Sequence, residues 1–117
     1  MTKKLLVIGA YEAVYQNPIE LRAGEFLWLS GKSDNWEGHV WLWAKSFEDG
    51  REGWVPDSLI VATASGRTTI RSDYSAVELS CRKGELVTRL DATHGWTLCQ
   101  AESGEQGWIP DNCLQYV

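Results

Sequence analysis

Short apolar runs alternate with polar, glycine-bearing turns along this chain, and no segment sustains an apolar stripe of helical period. Residues that alternate with a period of two mark half-buried strands, so the pattern predicts an all-β protein with at most one helical turn per half. Leu5 to Tyr11 reads as a first strand, and Glu12 to Pro18 as a loop marked by Asn17-Pro18. Ile19 and Leu21 then alternate with Glu20 into the turn Arg22-Ala23-Gly24-Glu25, where Gly24 supplies a positive φ. Phe26 to Leu29 is the next strand, Ser30 to Gly38 a polar loop, and Val40 to Lys45 a further strand. Asp49-Gly50 signals a hairpin that returns through Gly53-Trp54-Val55. Pro56 has no backbone donor and ends the ladder, which leaves Asp57-Ser58-Leu59 for one tight helical turn.

The same order then recurs. Gly53-Trp54-Val55-Pro56-Asp57 returns as Gly107-Trp108-Ile109-Pro110-Asp111, and Arg22-Ala23-Gly24-Glu25 as Arg82-Lys83-Gly84-Glu85. The offset between copies falls from 63 at Tyr11 and Tyr74 to 60 at Gly24 and Gly84, 55 at Trp41 and Trp96, and 54 at the final motif. Length therefore changes in three loops while strand spacing is kept, as expected if loops tolerate insertion and strand register does not. The repeat divides the chain into a first domain over residues 1–62, a short linker over 63–67 containing Gly66, and a second domain over 68–117. Domains of this size bury a modest fraction of their surface, and seven tryptophans supply bulky core and surface groups.

Charge narrows the partners. The net charge of −5 is spread over both halves without a basic block, which argues against nucleic acid and favours ligands that carry Lys or Arg. Nothing approaches the length of a membrane span, and the apolar run after Lys3-Lys4 is too short for a signal sequence, so a soluble, cytoplasmic protein is expected. Cys81, Cys99 and Cys113 are odd in number and lack metal-ligand spacing, which predicts reduced, buried thiols and no cofactor or metal. A thiol-enzyme reading would start from Asp91, His94 and Cys99, but Cys99 aligns with Ala44, a place for a small interior residue. His39 has no second ligand at metal spacing. Arg89 aligns with Leu29, expected in the core, and would there need a carboxylate such as Asp91 or Glu78.

In each half, a tyrosine strand, an Arg-x-Gly-Glu turn, a Trp strand and Gly-Trp-hydrophobic-Pro follow in order. Each half thus resembles a Src homology 3 (SH3) domain, and the chain looks like a tandem pair of the variant kind common in bacterial proteins. The resemblance implies two small five-stranded barrels, each with a helical turn before its last strand. It also implies a non-catalytic module that docks an extended, proline-rich segment on an aromatic groove, with flanking acids selecting a basic residue. Carried over by motif, the first groove would use Tyr11, Trp41, Trp54, Pro56 and Leu59, with Glu12 and Glu37 beside it. The second would use Tyr74, Trp96, Trp108 and Pro110. Gly9 and Leu59 stand where the family has tyrosines in the first copy, and Ser72 and Cys113 in the second. The second copy's first loop is three residues shorter, so binding is expected mainly on the first domain.

Other readings compete. Grooves covered by contact between the domains would leave a structural or oligomerisation unit. Trp28 and Trp43 are expected to be structural or interfacial. Aromatic rings beside acids, from Tyr11, Trp36, Trp41, Trp54 and Glu37, also suit a methylammonium group, although no spacing specifies a cage. A glycan or cell-wall peptide is a further ligand class for exposed tryptophans. The sequence leaves the oligomeric state open.

Overall fold

The computed structural model describes residues 3–117, and they are all-β apart from two 3-10 turns. Twelve strands occur: β1 (Lys3–Val7), β2 (Glu20–Leu21), β3 (Phe26–Trp36), β4 (His39–Ser46), β5 (Glu52–Pro56), β6 (Ile60–Ala62), β7 (Thr68–Ile70), β8 (Tyr74–Ser75), β9 (Leu86–Thr93), β10 (Trp96–Gln100), β11 (Gln106–Pro110) and β12 (Leu114–Tyr116). The 3-10 turns, Asp57–Leu59 and Asp111–Cys113, follow the two prolines and precede the last strand of each copy, as the sequence predicts. Two five-stranded antiparallel sheets result, in the orders β11-β10-β9-β1-β12 and β5-β4-β3-β7-β6.

These sheets do not follow the repeat. Strand β1, the first strand of the first copy, pairs with β9 and β12 of the second: Leu5 lies opposite both Val87 and Tyr116. Strand β7, which opens the second copy, pairs with β3 and β6 of the first, with Thr69 opposite Phe26 and Val61. The copies have exchanged their first strands. Two compact units follow, a terminal unit made of the described residues up to Gln16 with Val77–Val117, and a central unit, Asn17–Ala76. The chain passes from one to the other at Gln16–Asn17 and back at Ala76–Val77. Residues 63–67, read from sequence as a linker, are a hairpin turn inside the central unit, closed by the Thr63 N–H on the Arg67 carbonyl at 2.9 Å. A linker and a hairpin turn share the small residues and glycine that suggested the first, so composition alone does not separate them.

Each core needs the exchanged strand. Leu5 and Val7 are buried with Leu79, Cys81, Val87, Cys99, Ile109 and Cys113 in the terminal unit. In the central unit Ile70 of β7 is buried, as are Ile19, Leu21, Leu27, Ala44 and Val55. Most core positions correspond between the two units. Cys81, Cys99 and Cys113 stand where the central unit has Leu21, Ala44 and Leu59, and all three thiols are free and buried. They therefore act as small apolar side chains.

The glycine that opens the repeated motif is fixed by close approach. A Cβ on Gly107 would lie 2.6 Å from the Leu79 nitrogen and 2.7 Å from the Glu78 carbonyl carbon. Here the chain re-enters the terminal unit, with the Leu79 N–H on the Trp108 carbonyl at 3.0 Å and the Trp108 N–H on the Val77 carbonyl at 2.9 Å. A Cβ on Gly53 would likewise lie 2.8 Å from the Cγ2 of Ile19.

Two further expectations change. Ser30 to Gly38 is not a polar loop: β3 runs on to Trp36, with its register to β4 broken between Leu29 and Ser33. The hairpin turn itself has only Glu37 and Gly38 at its centre, both at positive φ, 51° and 86°, as tight hairpins of this kind require. Leu29 is 41 % exposed rather than in the core, so its counterpart Arg89, half-buried on β9, needs no buried carboxylate.

Gly107→Ala should lower stability by about 1–3 kcal/mol, because the obstructing atoms are backbone. Gly9→Ala, whose Cβ would meet Cys113 no closer than 3.7 Å, should change it by less than about 0.5 kcal/mol. Chemical denaturation of the two variants checks both.

Candidate functional site

The strand exchange regroups the aromatic residues singled out by sequence. Tyr11, Glu12, Trp96, Trp108 and Pro110 belong to the terminal unit, while Trp41, Trp54, Pro56, Leu59, Glu37 and Tyr74 belong to the central one. The pairing of Tyr11 with Trp41, expected from their order in the chain, is therefore replaced. Tyr11 follows β1 into the terminal unit, where it bridges Cys81 and meets Trp96 edge to face, with ring centroids 5.5 Å apart.

Several elements hold this pair. Tyr11 exchanges backbone hydrogen bonds with Cys81, its N–H on the Cys81 carbonyl at 3.0 Å and the Cys81 N–H on its own carbonyl at 2.8 Å. Its hydroxyl donates to the Glu78 carboxylate at 2.8 Å, and the Val14 N–H donates to the same oxygen at 3.0 Å. Burial first, and then the hydrogen bond and charge of Glu78, push the phenol above the usual tyrosine range. Trp96 opens β10 directly opposite Pro110. It follows the hairpin turn at His94 and Gly95, whose φ values are 53° and 82°. Tyr11 and Trp96 are both half-buried, so each keeps part of its surface in solvent. Beside Tyr11 lies an open recess lined by Ala10, Glu12, Ser80, Cys81, Arg82 and Glu85. Glu78, which the sequence offered only as a carboxylate for Arg89, is the partner of Tyr11 that linear order did not suggest.

The remaining candidates divide by exposure. Trp41 and Tyr74 are each 8 % exposed and Trp108 7 %; Pro56 and Pro110 are buried as well. The Tyr74 hydroxyl is spent on the Trp54 carbonyl at 2.7 Å. Trp54 and Leu59 are half-buried, while Glu12 and Glu37 are exposed. Of the rings set aside as structural, Trp28 is 55 % exposed and meets Phe47 at 5.2 Å, whereas Trp43 packs on Trp54 at 5.1 Å.

The arrangement of Cys99 and His94 is unsuited to thiol chemistry. Cys99 is fully buried, and its thiol is pushed up to about 12, first by burial. His94 sits in the hairpin turn with its Nδ1 2.9 Å from the Thr93 hydroxyl. Among the described residues no group of His, Cys, Asp and Glu could hold a metal ion.

The sequence profile of the variant SH3 domain family matches the chain twice, over residues 4–61 and 67–117. The chain belongs to the variant SH3 family. SH3 domains are in general non-catalytic, peptide-binding modules, and no catalytic family matches. No curated protein and no solved structure matches the chain. The SH3 matches follow the linear repeats, whereas each compact unit takes its first strand from the other repeat.

Burial raises all three thiols, so they stay protonated at pH 8. Native protein treated with iodoacetamide at that pH should label slowly, and guanidinium-unfolded protein at least about tenfold faster. Rapid native labelling of Cys99 would contradict the buried placement.

Proposed function

We propose that this tandem SH3 protein is a non-catalytic protein-interaction module, and that it docks an extended, proline-rich, basic segment on the Tyr11–Trp96 face of the terminal unit. The observation that carries this reading is the half-exposed edge-to-face pair of Tyr11 and Trp96 beside Pro110. Rigid rings held by backbone pairing offer apolar area to a stiff polyproline II ligand at low entropic cost. Glu12 and Glu85 line the adjoining recess together with Arg82, and the excess of carboxylates there would favour Lys or Arg on the ligand. The three free cysteines suit a reducing, cytoplasmic setting.

A structural role is favoured instead for the corresponding residues of the central unit. Trp41 and Tyr74 are too little exposed to give a ligand much ring surface. The binding face is accordingly placed on the terminal unit, with its tyrosine supplied by the first copy and its tryptophan by the second.

Titration of the isotopically labelled protein with a panel of basic proline-rich peptides tests the proposal. Shifts should centre on Tyr11 and the Trp96 indole, and Trp96→Ala should weaken binding by about 30-fold, as for a central aromatic anchor. Trp28→Ala, in the other unit, should bind as wild type. Equal binding by the Trp96 variant, or no binding by any peptide at millimolar concentration, would refute this placement.

A further inference from the structure

The central unit carries a second aromatic feature that the Tyr11–Trp96 face does not use. Trp43 on β4 and Trp54 on β5 are directly opposed in register, and their rings meet at 78° with centroids 5.1 Å apart. The Trp43 indole N–H donates to the Glu52 carboxylate at 3.0 Å. A corner of two rings with a carboxylate at its edge presents negative potential, the arrangement that attracts an ammonium or guanidinium group.

A cation is already there. The Lys32 ammonium lies 5.5 Å from the centroid of Trp43 and 5.5 Å from that of Trp54. Its delivery follows from the register. Leu29 pairs with Ala44 and Ser33 with Leu42, so the bulged segment Ser30–Lys32 stands opposite Trp43 alone. Gly31 turns the bulge at φ 89°, and the Ser30 hydroxyl accepts the Lys32 N–H at 3.0 Å. The bulge falls within the stretch where the first copy is five residues longer than the second. In the terminal unit the equivalent pair is Leu98 opposite Trp108, and Leu98 also faces Asp91 across β9. Lysine and second ring are thus both peculiar to the first copy.

We propose that the Trp43–Trp54 corner is a binding site for a basic side chain of a partner peptide, and that Lys32 is its built-in competitor. Lys32 is exposed, and a cation–π contact of this exposure is weak enough for a ligand lysine to displace. The occupied corner is closed to apolar partners and opens only to a group that replaces the ammonium. Partner affinity is thereby lowered by the population of the Lys32 contact. This site is independent of the Tyr11–Trp96 face, so either assignment can fail without the other.

The test uses the full chain and the blocked tripeptide acetyl-Gly-Lys-Gly-amide, followed through the Trp43 and Trp54 indole N–H signals. Lys32→Met keeps the length of the side chain and removes its charge. It should shift the Trp43 indole signal and tighten binding of the tripeptide by about two- to fivefold. Trp43→Leu, the residue at the equivalent position of the second copy, should abolish that gain with Lys32→Met in place. The norleucine analogue of the tripeptide should bind at least about twofold more weakly to Lys32→Met. The proposal is overturned if Lys32→Met binds the tripeptide no more tightly than wild type, if the norleucine analogue binds as well, or if no indole signal moves at millimolar tripeptide.

Discussion

Strand β1 is hydrogen-bonded along both edges, to β9 on one side and β12 on the other, and the rest of the molecule depends on that insertion. Removing it would open the sheet between β9 and β12 and take Leu5 and Val7 out of the core. The reciprocal strand, β7, fills the same place between β3 and β6. Each copy therefore lends its neighbour the strand that completes it. Neither half of the sequence contains all the strands of one unit, although each contains all the strands of one SH3 repeat.

Much of the fold was legible because it rests on local chemistry. Gly24 and Gly84 adopt φ of 87° and 98° at the turns their neighbours mark. Pro56 and Pro110 end their strands, and the 3-10 turns follow at once. The returning strand read from Gly53-Trp54-Val55 is β5, and its Val55, like Ile109 in the second copy, is fully buried. The exchange was not legible, and for a physical reason. Val7 and Ile70 are interchangeable apolar residues at equivalent places, so the hydrophobic pattern of β1 suits either sheet. Only the connection lengths and the backbone path at Gln16–Asn17 and Ala76–Val77 distinguish the alternatives, and these leave no mark on periodicity. The long β3 hairpin was missed differently, because its polar residues and Gly31 have the composition of a loop while their backbone continues the strand.

The candidate site was half legible for the same cause. Residue types came from motifs, but the motifs put Tyr11 in one groove and Trp96 and Pro110 in the other, whereas the fold sets Tyr11 against Trp96, which lies opposite Pro110. Partnership came from linear order, which the exchange overrides. Glu78 illustrates the point. It is 67 residues from Tyr11 in sequence, yet it receives the tyrosine hydroxyl, because Tyr11 lies just before the chain leaves the terminal unit and Glu78 just after it returns. A phenol fixed in this way presents its ring, rather than its hydroxyl, to Trp96.

The central claim is that Tyr11 shares a site with the tryptophan of the other copy. The most direct measurement is the nuclear Overhauser contact pattern of the Tyr11 ring in the full chain. Centroids 5.5 Å apart in an edge-to-face pair predict strong contacts between the Tyr11 and Trp96 ring protons, together with backbone contacts from Leu5 to Val87 and Tyr116. Contacts from Tyr11 to Trp41, with Leu5 facing the Phe26–Leu27 strand, would show instead that each repeat keeps its own first strand.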